Sequence, residues 1–411
     1  MTSKFYNPAR TDRIGLNQTI KFHGESGING KKAIVILANL LDRDTRATKV
    51  IKTLSNNGYK ATLLCWNRGF KVSKSVHQEG GDFHREIQLK FKAPWGSLIL
   101  FFLPIWWFFI FFWLMATKWD IVHAIQIISL PPAVIAGRIK GKPIIYDMLD
   151  TYEDTVLLPR TIRNICVRID KLFMWLANGV ILADEAQIEE VAGIPNSKVV
   201  AIYDSPDTIS KINHSTQKNE IFTLFFAGLL FSGKALNLDK IFSAIESIEG
   251  VKIVIAGYGD LVKEIKDWSY KLPDKIEFIG EIDHADVLEK SIDANLLFIL
   301  RDSIIPVNKY ICGSKVLEAM MCGKPILVNK GTSTANIVNK ENCGLVVDAH
   351  NIEELKTAII KLRDNPGLCH ELGANARKAY EEIYSWKIME RKLLALYQEL
   401  TEEITMKDEE V

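Results

Sequence analysis

Lys315 and Glu318 carry opposite charges and stand three residues apart, the spacing that places two side chains on one face of a helix. The surrounding stretch, residues 313–325, predicts a short helix that ends at Gly323. The apolar run Ile326–Val328 then predicts a strand, and helices that begin at the carboxyl edge of a parallel sheet border the ligand sites of such folds. The spacing alone fits a solvated ion pair as well as a binding pair.

Two glycine-containing turns precede this helix along the chain. The first, residues 227–234, follows an apolar strand; Gly228 and Gly233 let backbone amides approach a phosphate, and Lys234 supplies a countercharge. The second, Gly257-Tyr258-Gly259, follows the next strand. Each turn is weak evidence by itself. A carboxylate at a helix start can accept both hydroxyls of a ribose, so the turns and the helix together indicate a nucleotide.

Strands and helices alternate along the chain, which predicts an α/β architecture with doubly wound parallel sheets. In the N-terminal half, strands are predicted at residues 33–37, 61–66, 121–124, 143–146, 179–182 and 199–203, with helices at 45–56, 131–140, 161–177 and 185–191. In the C-terminal half, strands are predicted at 222–227, 251–256, 276–279, 294–300, 326–328 and 344–347, with helices at 237–247, 260–271, 284–291, 334–340 and 352–364.

These elements predict two Rossmann-like domains that face each other across a cleft. An N-terminal domain is expected at residues 32–203 and a C-terminal domain at 220–383, joined by a polar linker at 204–219. A flexible arm is expected at residues 1–31. Residues 384–411 are expected to form a helix that packs back toward the N-terminal domain and ends in an acidic tail. Helix N-termini that point into such a cleft suit an anionic, phosphate-bearing ligand.

Composition narrows the class of protein. With 411 residues, 48% of them hydrophobic, and a net charge of +1, the chain is long enough for two or three domains and does not resemble a dedicated nucleic-acid binder. Its six cysteines are scattered and form no C-x-x-C pair, which favours a reduced cytoplasmic interior over a disulfide or zinc framework. The first thirty residues contain no apolar leader core, so we expect no secretory signal.

Two short motifs bear on cofactors. The first predicted strand is not followed by G-x-G-x-x-G, so the fingerprint of a dinucleotide cofactor is missing. Asp42-Arg43-Asp44 has the D-x-D spacing that binds metal in one class of enzymes. Its position directly after the first strand favours a loop or helix-capping role instead, and no metal is expected.

Residues 96–117 contain no charge and hold nine aromatic side chains. The segment is long enough to cross a bilayer, which takes about 20 apolar residues. The strands predicted on either side of it belong to one sheet, however, and a full span would separate them. We therefore expect the segment to dip into one leaflet or lie along it, flanked by lysines and arginines that face anionic headgroups. A buried core helix or an oligomer contact is the alternative.

Four C-terminal motifs occur in a fixed order: Phe-Ala-Gly…Gly-Lys, Val-Ile-Ala-Gly-Tyr-Gly-Asp, Phe-Ile-Gly-Glu and Ser-Lys-Val-Leu-Glu-Ala-Met-Met-Cys-Gly-Lys-Pro. The N-terminal half adds Asp120-Ile121-Val122-His123 and Tyr146-Asp147. In this combination the chain resembles family 4 glycosyltransferases of GT-B fold. The resemblance covers nearly the whole chain.

The resemblance implies a retaining, metal-independent transfer of a sugar from a nucleotide-sugar donor to a glycan or lipid-linked acceptor, without a cofactor. Glu318 would match the second Glu of the family's E-x7-E element and hold the nucleotide ribose, and Lys234 would match its basic residue on the diphosphate. Asp150 would orient the acceptor hydroxyl, with an Asx-turn as the alternative reading. The donor pocket would also include Gly228, Gly233, Gly257, Gly259, Ser314 and Lys315.

The chain departs from the family pattern within the donor pocket. The first Glu of E-x7-E falls at Tyr310. The family's arginine after the first glycine falls at Leu229-Leu230. Neutralisation of the diphosphate would therefore depend on Lys234, assisted by Arg46 or Lys315.

A further departure concerns the acceptor side. Leu149 takes the place of a histidine in a turn that keeps Asp147 and Asp150. These losses leave open a second reading, a nucleotide-sugar-binding or membrane scaffold protein that keeps the fold without the activity. A two-domain oxidoreductase is a third reading, which the missing dinucleotide fingerprint disfavours.

Overall fold

The computed structural model describes residues 30–41, 44–69, 85–94, 97–149, 160–190, 198–207 and 221–409. The arm predicted at 1–31 and the linker predicted at 204–219 lie largely outside these ranges, and Asp150 lies outside them as well. Within the described residues the chain forms two all-parallel sheets, one of seven strands and one of six. The predicted α/β fold class is confirmed.

The N-terminal sheet has the strand order β3-β2-β1-β4-β5-β6-β7 among the described residues. Its strands are β1 (Lys32–Leu37), β2 (Lys60–Asn67), β3 (Arg85–Lys90), β4 (Ile121–Ile125), β5 (Ile144–Met148), β6 (Gly179–Leu182) and β7 (Lys198–Ala201). Its helices are α1 (Thr45–Asn56), α2 (Leu103–Ala116), α3 (Leu130–Lys140), α4 (Arg160–Leu176) and α5 (Gln187–Glu190). Apolar runs such as Ala33–Leu37 form the central strands because helices cover both faces of the sheet.

The C-terminal sheet has the strand order β10-β9-β8-β11-β12-β13 within the described ranges. Its strands are β8 (Phe222–Leu229), β9 (Val251–Tyr258), β10 (Ile276–Gly280), β11 (Leu296–Ile299), β12 (Ile326–Asn329) and β13 (Gly344–Val347). Its helices are α6 (Leu238–Ile245), α7 (Val262–Lys271), α8 (His284–Asp293), α9 (Pro306–Tyr310), α10 (Ser314–Met321), α11 (Ser333–Lys340), α12 (Ile352–Arg363) and α13 (Pro366–Ala379). The strand order reverses between β8 and β11, and doubly wound sheets bind ligands at such a point.

The last helix, α14 (Trp386–Glu409), returns to the N-terminal domain. Its Tyr397 hydroxyl lies 2.9 Å from Nδ1 of His123 on β4, and the Tyr59 and Tyr397 rings meet edge to face. On the side of β7, Glu399 pairs with Lys198. The chain therefore crosses between the two domains a second time after α13.

Helix α2, which carries most of the aromatic segment, is buried on one side and exposed on the other. One side is buried against the sheet through Leu103, Trp106, Ile110 and Leu114. On the opposite side Ile105, Phe108 and Phe112 are exposed, as is Phe101 in the 3-10 turn before the helix. Both stripes follow helical spacing, so the helix is apolar all round and uses only one side for the core. Among the residues described, no helix is both long enough and apolar enough to cross a bilayer.

Candidate functional site

An open cavity of about 360 Å³ lies at the carboxyl edge of the C-terminal sheet, beside the point where the strand order reverses. The ends of β8 and β9, the start of α10 and the turn after β11 surround it. Five of the predicted donor-site residues line this cavity: Gly228, Lys234, Gly257, Ser314 and Lys315. Residues far apart in sequence thus meet at one place because parallel strands end at the same edge of the sheet.

Helix α10 places Lys315 at the floor of the cavity and Glu318 one helical turn further along. Lys315 Nζ lies 2.7 Å from Glu318 Oε2, as the three-residue spacing predicts. Lys315 also lines the cavity, and its Cε lies about 3.8 Å from where a side chain on Gly228 would begin. Glu318 is 8% exposed and faces a smaller adjoining cavity that Lys315 also lines. The predicted ribose-binding carboxylate thus lies one helical turn behind the cavity's floor.

Gly257 and Gly259 are required by the backbone itself. Gly257 has φ +138°, and a Cβ there would lie 1.9 Å from the carbonyl oxygen of Gly228. Gly259 has φ +154°, and its Cβ would lie 2.0 Å from the carbonyl oxygen of Leu230. The ends of β8 and β9 approach this closely only without side chains. These glycines shape the cavity wall, and of the two only Gly257 lines it.

Lys234 lies on a tight turn that hydrogen bonds hold in place. The backbone N–H and the hydroxyl of Ser232 both donate to Asp260, at 2.7 and 2.8 Å. Ala235 and Asn237, which follow the lysine, have positive φ values of 48° and 51°. Residues other than glycine adopt this conformation at a cost that the surroundings must offset. Gly233 lies within the same turn but does not line the cavity.

Arg301 is a cavity residue that the sequence reasoning missed. It follows β11, and its side chain lines the cavity together with Lys234 and Lys315. Burial lowers the pKa of its guanidinium. The one signal in the sequence was its place directly after a strand of four buried residues, at the edge where ligands bind.

The residues at the positions where the family has an arginine and a glutamate do not replace those charged groups. Leu229 lines the cavity and is 45% exposed, whereas Leu230 is fully buried. Tyr310 lies on α9 and accepts a hydrogen bond from Lys309 at 3.0 Å. Neither leucine brings a cation to the cavity, and Tyr310 is not among its lining residues.

Arg46, one of the cations suggested for the diphosphate, is not available for that role. Its guanidinium makes two hydrogen bonds with Asp147, at 2.9 and 2.7 Å, and donates to the carbonyl of Ile202 at 2.6 Å. Asp147 also lies 3.1 Å from Nε2 of His123. Burial by itself raises the pKa of Asp147, but Arg46 and His123 outweigh it and lower this pKa to about 2. The expectation for Arg46 was wrong because its charge is satisfied inside the N-terminal domain.

The two domains meet next to the cavity through Asp184, which follows β6. Its carboxylate accepts hydrogen bonds from the backbone N–H of Cys312 at 2.7 Å and from the Ser333 hydroxyl at 2.5 Å. Cys312 stands two residues before α10, and Ser333 begins α11. Burial raises the pKa of Asp184. This contact fixes the start of α10 against the N-terminal domain.

Of the two residues predicted to matter on the acceptor side, the structure describes Leu149 but not Asp150. Asp150 falls outside the described residues, so its predicted role stays a prediction. Leu149 packs against the core at the end of β5. Within the described part of the chain, no three His, Cys, Asp or Glu side chains are grouped closely enough to hold a metal ion.

Comparisons with known proteins agree with this geometry. Residues 208–379 match the family model of glycosyl transferases group 1. This range contains the cavity and every donor-site residue named above. An uncharacterized glycosyltransferase of Methanocaldococcus jannaschii is 28% identical over 191 residues, which are 44% of this chain and 46% of that protein. The match thus spans about half the length of this curated relative.

Solved structures resemble the chain over more of its length. A sucrose-phosphate synthase from Thermosynechococcus elongatus superposes with a TM-score of 0.71 at 16% identity, covering 90% of this chain and 99% of the other. The Anabaena protein HepE in complex with UDP superposes with a TM-score of 0.64 at 16% identity, covering 91% and 100%. At this identity the likeness establishes the fold, which is GT-B.

Proposed function

We propose that the chain is a retaining glycosyltransferase that moves a sugar from a nucleotide-sugar donor to a glycan or lipid-linked acceptor at the cytoplasmic face of a membrane. The observation that carries the proposal is the meeting of Lys234, Ser314 and Lys315 at one cavity of a GT-B fold, with Glu318 directly behind. The UDP-bound structural neighbour and the matched family model support a nucleotide-sugar as the donor.

The charges around the cavity suit the chemistry of donor cleavage. Breaking the glycosidic bond develops negative charge on the leaving diphosphate and positive charge on the sugar. Lys234 and the N-terminus of α10 stabilise the diphosphate by placing positive charge where negative charge develops. We propose that this stabilisation makes the reaction independent of metal. The acceptor oxygen bonds to the anomeric carbon on the face that the diphosphate leaves, and the departing phosphate oxygen takes the acceptor proton, so the sugar keeps its anomeric configuration.

The ion pair between Lys315 and Glu318 predicts how the nucleotide is received. In the pair as it stands, the Glu318 carboxylate is neutralised and 8% exposed. A ribose that donates its hydroxyls to Glu318 replaces part of this pairing and frees Lys315 for the diphosphate. A scaffold protein that keeps the pocket but not the activity would show the same ion pair. Such a scaffold is the second candidate function.

Donor turnover separates the two candidates. Purified protein is incubated with UDP-, GDP-, ADP- and dTDP-sugars, and sugar release or transfer is followed by NMR, which also reports the anomer. Lys234→Ala and Glu318→Ala are each expected to lower turnover by about a hundredfold or more, as the loss of a charge-stabilising group does. Wild-type binding without turnover would favour the scaffold, and unchanged turnover in both variants would overturn the assigned pocket.

The membrane part of the proposal depends on three adjacent helices that cover one face of the N-terminal sheet. Lys140 at the end of α3 donates to the carbonyl of Thr117 after α2, and Arg138 donates to the carbonyl of Leu176 at the end of α4. Their outer sides expose large apolar residues: Ile105, Phe108 and Phe112 on α2 with Phe101 in the turn before it, Ile135 and Ile139 on α3, and Ile165, Ile169, Leu172 and Trp175 on α4. We call these ten residues the three-helix apolar face.

Charge indicates that the partner of the three-helix apolar face is an anionic bilayer. The exposed charges on α3 and α4 for which side-chain positions are described are basic: Arg138, Arg168 and Lys171. The described carboxylate on these helices, Asp170, is 5% exposed and accepts from the Tyr146 hydroxyl at 3.0 Å. Apolar side chains surrounded by basic ones match the acyl boundary and anionic headgroups of a membrane surface.

Vesicle sedimentation tests this attachment. Phe101→Ser, Phe108→Ser and Phe112→Ser are combined, because these side chains are 78%, 62% and 61% exposed and contribute little to the core. The triple variant is expected to stay in solution where the wild type sediments with phosphatidylglycerol vesicles. Tyr270→Ser with Ile304→Ser removes two equally exposed apolar residues of the C-terminal domain and serves as the control. Equal sedimentation of wild type and triple variant would overturn the attachment.

Trp106 is unsuitable for this test. Although it belongs to the aromatic segment, its side chain is fully buried and stacks on Trp66 with ring centroids 5.6 Å apart. Its replacement would open a cavity in the core, which typically costs several kcal/mol. A loss of membrane binding in such a variant would report unfolding.

A further inference from the structure

Arg301 gives the cavity a cation that neither the motif order nor the family resemblance indicates. We propose that Arg301 binds the diphosphate of the donor and replaces the arginine that the resemblance places at Leu229-Leu230. The inference rests on the proposed function, because it assigns a further residue to the same pocket. Its basis is the position of the side chain, the way its turn is held, and the absence of a carboxylate paired with it among the described residues.

The backbone on both sides of Arg301 is fixed to its neighbours. The amide that follows it donates to the carbonyl of Ala235 at 2.9 Å. Nδ2 of Asn237 donates to the carbonyl of Leu300, which precedes it, at 2.7 Å. Nδ2 of Asn329 donates to the carbonyl of Arg301 itself at 3.0 Å. Ala235 and Asn237 belong to the turn that carries Lys234. Two of the three bonds therefore join the turn of Lys234 to the turn of Arg301.

The guanidinium lies over the residue that precedes α10. A Cβ built on Gly313 would stand 3.5 Å from Nη1 of Arg301, an ordinary packing distance. The guanidinium therefore lies beside the start of the helix, whose first two residues, Ser314 and Lys315, line the same cavity. An arginine fork next to a helix N-terminus offers several donors to one phosphate group.

Among the described residues, no carboxylate pairs with the half-buried Arg301. Its Nε is buried and has no hydrogen-bond partner among the residues described. Lys315 differs, because Glu318 already neutralises it. A charge withdrawn from water without a counter-ion is unfavourable, and burial accordingly lowers the pKa of this guanidinium. An anionic ligand in the cavity would supply the missing charge and the missing acceptor.

Binding of a nucleoside diphosphate and of its nucleoside tests the assignment. Titrations use UDP with uridine first, then GDP, ADP and dTDP with their nucleosides. We expect Arg301→Met to weaken diphosphate binding at least about tenfold, the usual loss of a charge-assisted contact, and to leave nucleoside binding unchanged. Arg301→Lys should fall between, since it keeps the charge without the fork. Arg363→Met, which removes a half-buried arginine that pairs with Asp364 away from the cavity, should bind like wild type.

The possible failures are distinguishable. If wild type binds a diphosphate and Arg301→Met binds it equally well, the assignment of Arg301 is wrong while the proposed function stands. If Arg301→Met loses the nucleoside to the same degree as the diphosphate, Arg301 acts on the fold of the pocket and the assignment is likewise wrong. If wild type binds none of the four diphosphates, the proposed function and the assignment both fail. Thermal melts of each variant show whether it is folded.

Discussion

Arg46 is buried and Arg301 is half-buried at the cavity, and the two differ in what surrounds them. Arg46 makes two hydrogen bonds with Asp147 and a third with the carbonyl of Ile202. Arg301 lines an open cavity, and its buried Nε lacks a partner within the described residues. A buried cation whose donors are all used by its own chain stabilises the fold. A cation left without a counter-charge at a cavity can pair with a ligand.

The pKa values of the two arginines shift in opposite directions. Burial by itself lowers the pKa of Arg46, but Asp147 outweighs it and the net pKa is raised. At Arg301 burial lowers the pKa, and no carboxylate is among the groups that counter it. The same residue type therefore contributes to stability in one domain and is available for binding in the other. Substitutions at each site test this difference.

The largest expected effect is at the buried pair. Asp147→Asn leaves the Arg46 charge buried and uncompensated, and such changes cost about 3–5 kcal/mol. Urea denaturation gives the free energy of unfolding. Asp348→Asn, which disrupts a half-exposed pair with Lys330, is the matched control and should change this free energy little. If Asp147→Asn is no more destabilising than the control, the distinction between the two arginines is lost.

The contribution of Asp147 should also depend on pH. Its pKa falls from 3.8 to about 2 on folding, so the folded state binds fewer protons than the unfolded state between these values. The stabilisation is therefore complete above about pH 4 and is lost as the pH falls toward 2. The difference in unfolding free energy between wild type and Asp147→Asn should shrink over this range. A difference that stays constant from neutral pH to about pH 2.5 would contradict the ion pair.

The smallest expected effect on stability is at Arg301. Arg301→Met removes an unpaired charge and keeps most of the apolar stem, so the free energy of unfolding should stay within about 1 kcal/mol of wild type or rise. The same denaturation series measures it beside Asp147→Asn. A loss as large as that of Asp147→Asn would mean that Arg301 has a structural partner and would remove the contrast.

The element pattern was predictable because it depends on apolar periodicity. Central strands such as Ala33–Leu37 are continuous apolar runs, and α1 begins and ends where the sequence predicts. Strand β3 was missed because Arg-Glu-Ile-Gln-Leu-Lys lies at an edge, where only part of the strand is buried and polar residues are tolerated. Periodicity identifies buried strands well and half-exposed edge strands poorly.

The site was predictable only as far as sequence motifs reach. Lys234 and Lys315 belong to motifs and line the cavity. Arg301 belongs to no motif, and only the meeting of the turns after β8 and β11 reveals it. Arg46 looked equally suitable in sequence, since nothing in its neighbours indicates a bond to Asp147, 101 positions later. The pairing of charges depends on tertiary contacts that the sequence alone does not specify.

The exposed apolar side of α4 was likewise not predictable from the sequence alone. The stripe Ile165, Ile169 and Leu172 has helical spacing, which normally predicts a core-facing side. In the structure these three residues are 50%, 38% and 52% exposed. Hydrophobic periodicity therefore located the helix, but it did not determine whether the apolar side of the helix faces the protein core.

Thermal shift with nucleotide sugars tests the central claim most directly. A ligand that binds the folded state raises Tm, and the rise grows with the logarithm of the ligand concentration divided by Kd. We predict that at least one of the UDP-, GDP-, ADP- and dTDP-sugars raises the Tm of wild type and that Glu318→Gln and Lys234→Ala each abolish this rise, while Tyr270→Ser keeps it. No rise with any nucleotide sugar, or an equal rise in both pocket variants, would contradict a nucleotide-sugar site at this cavity.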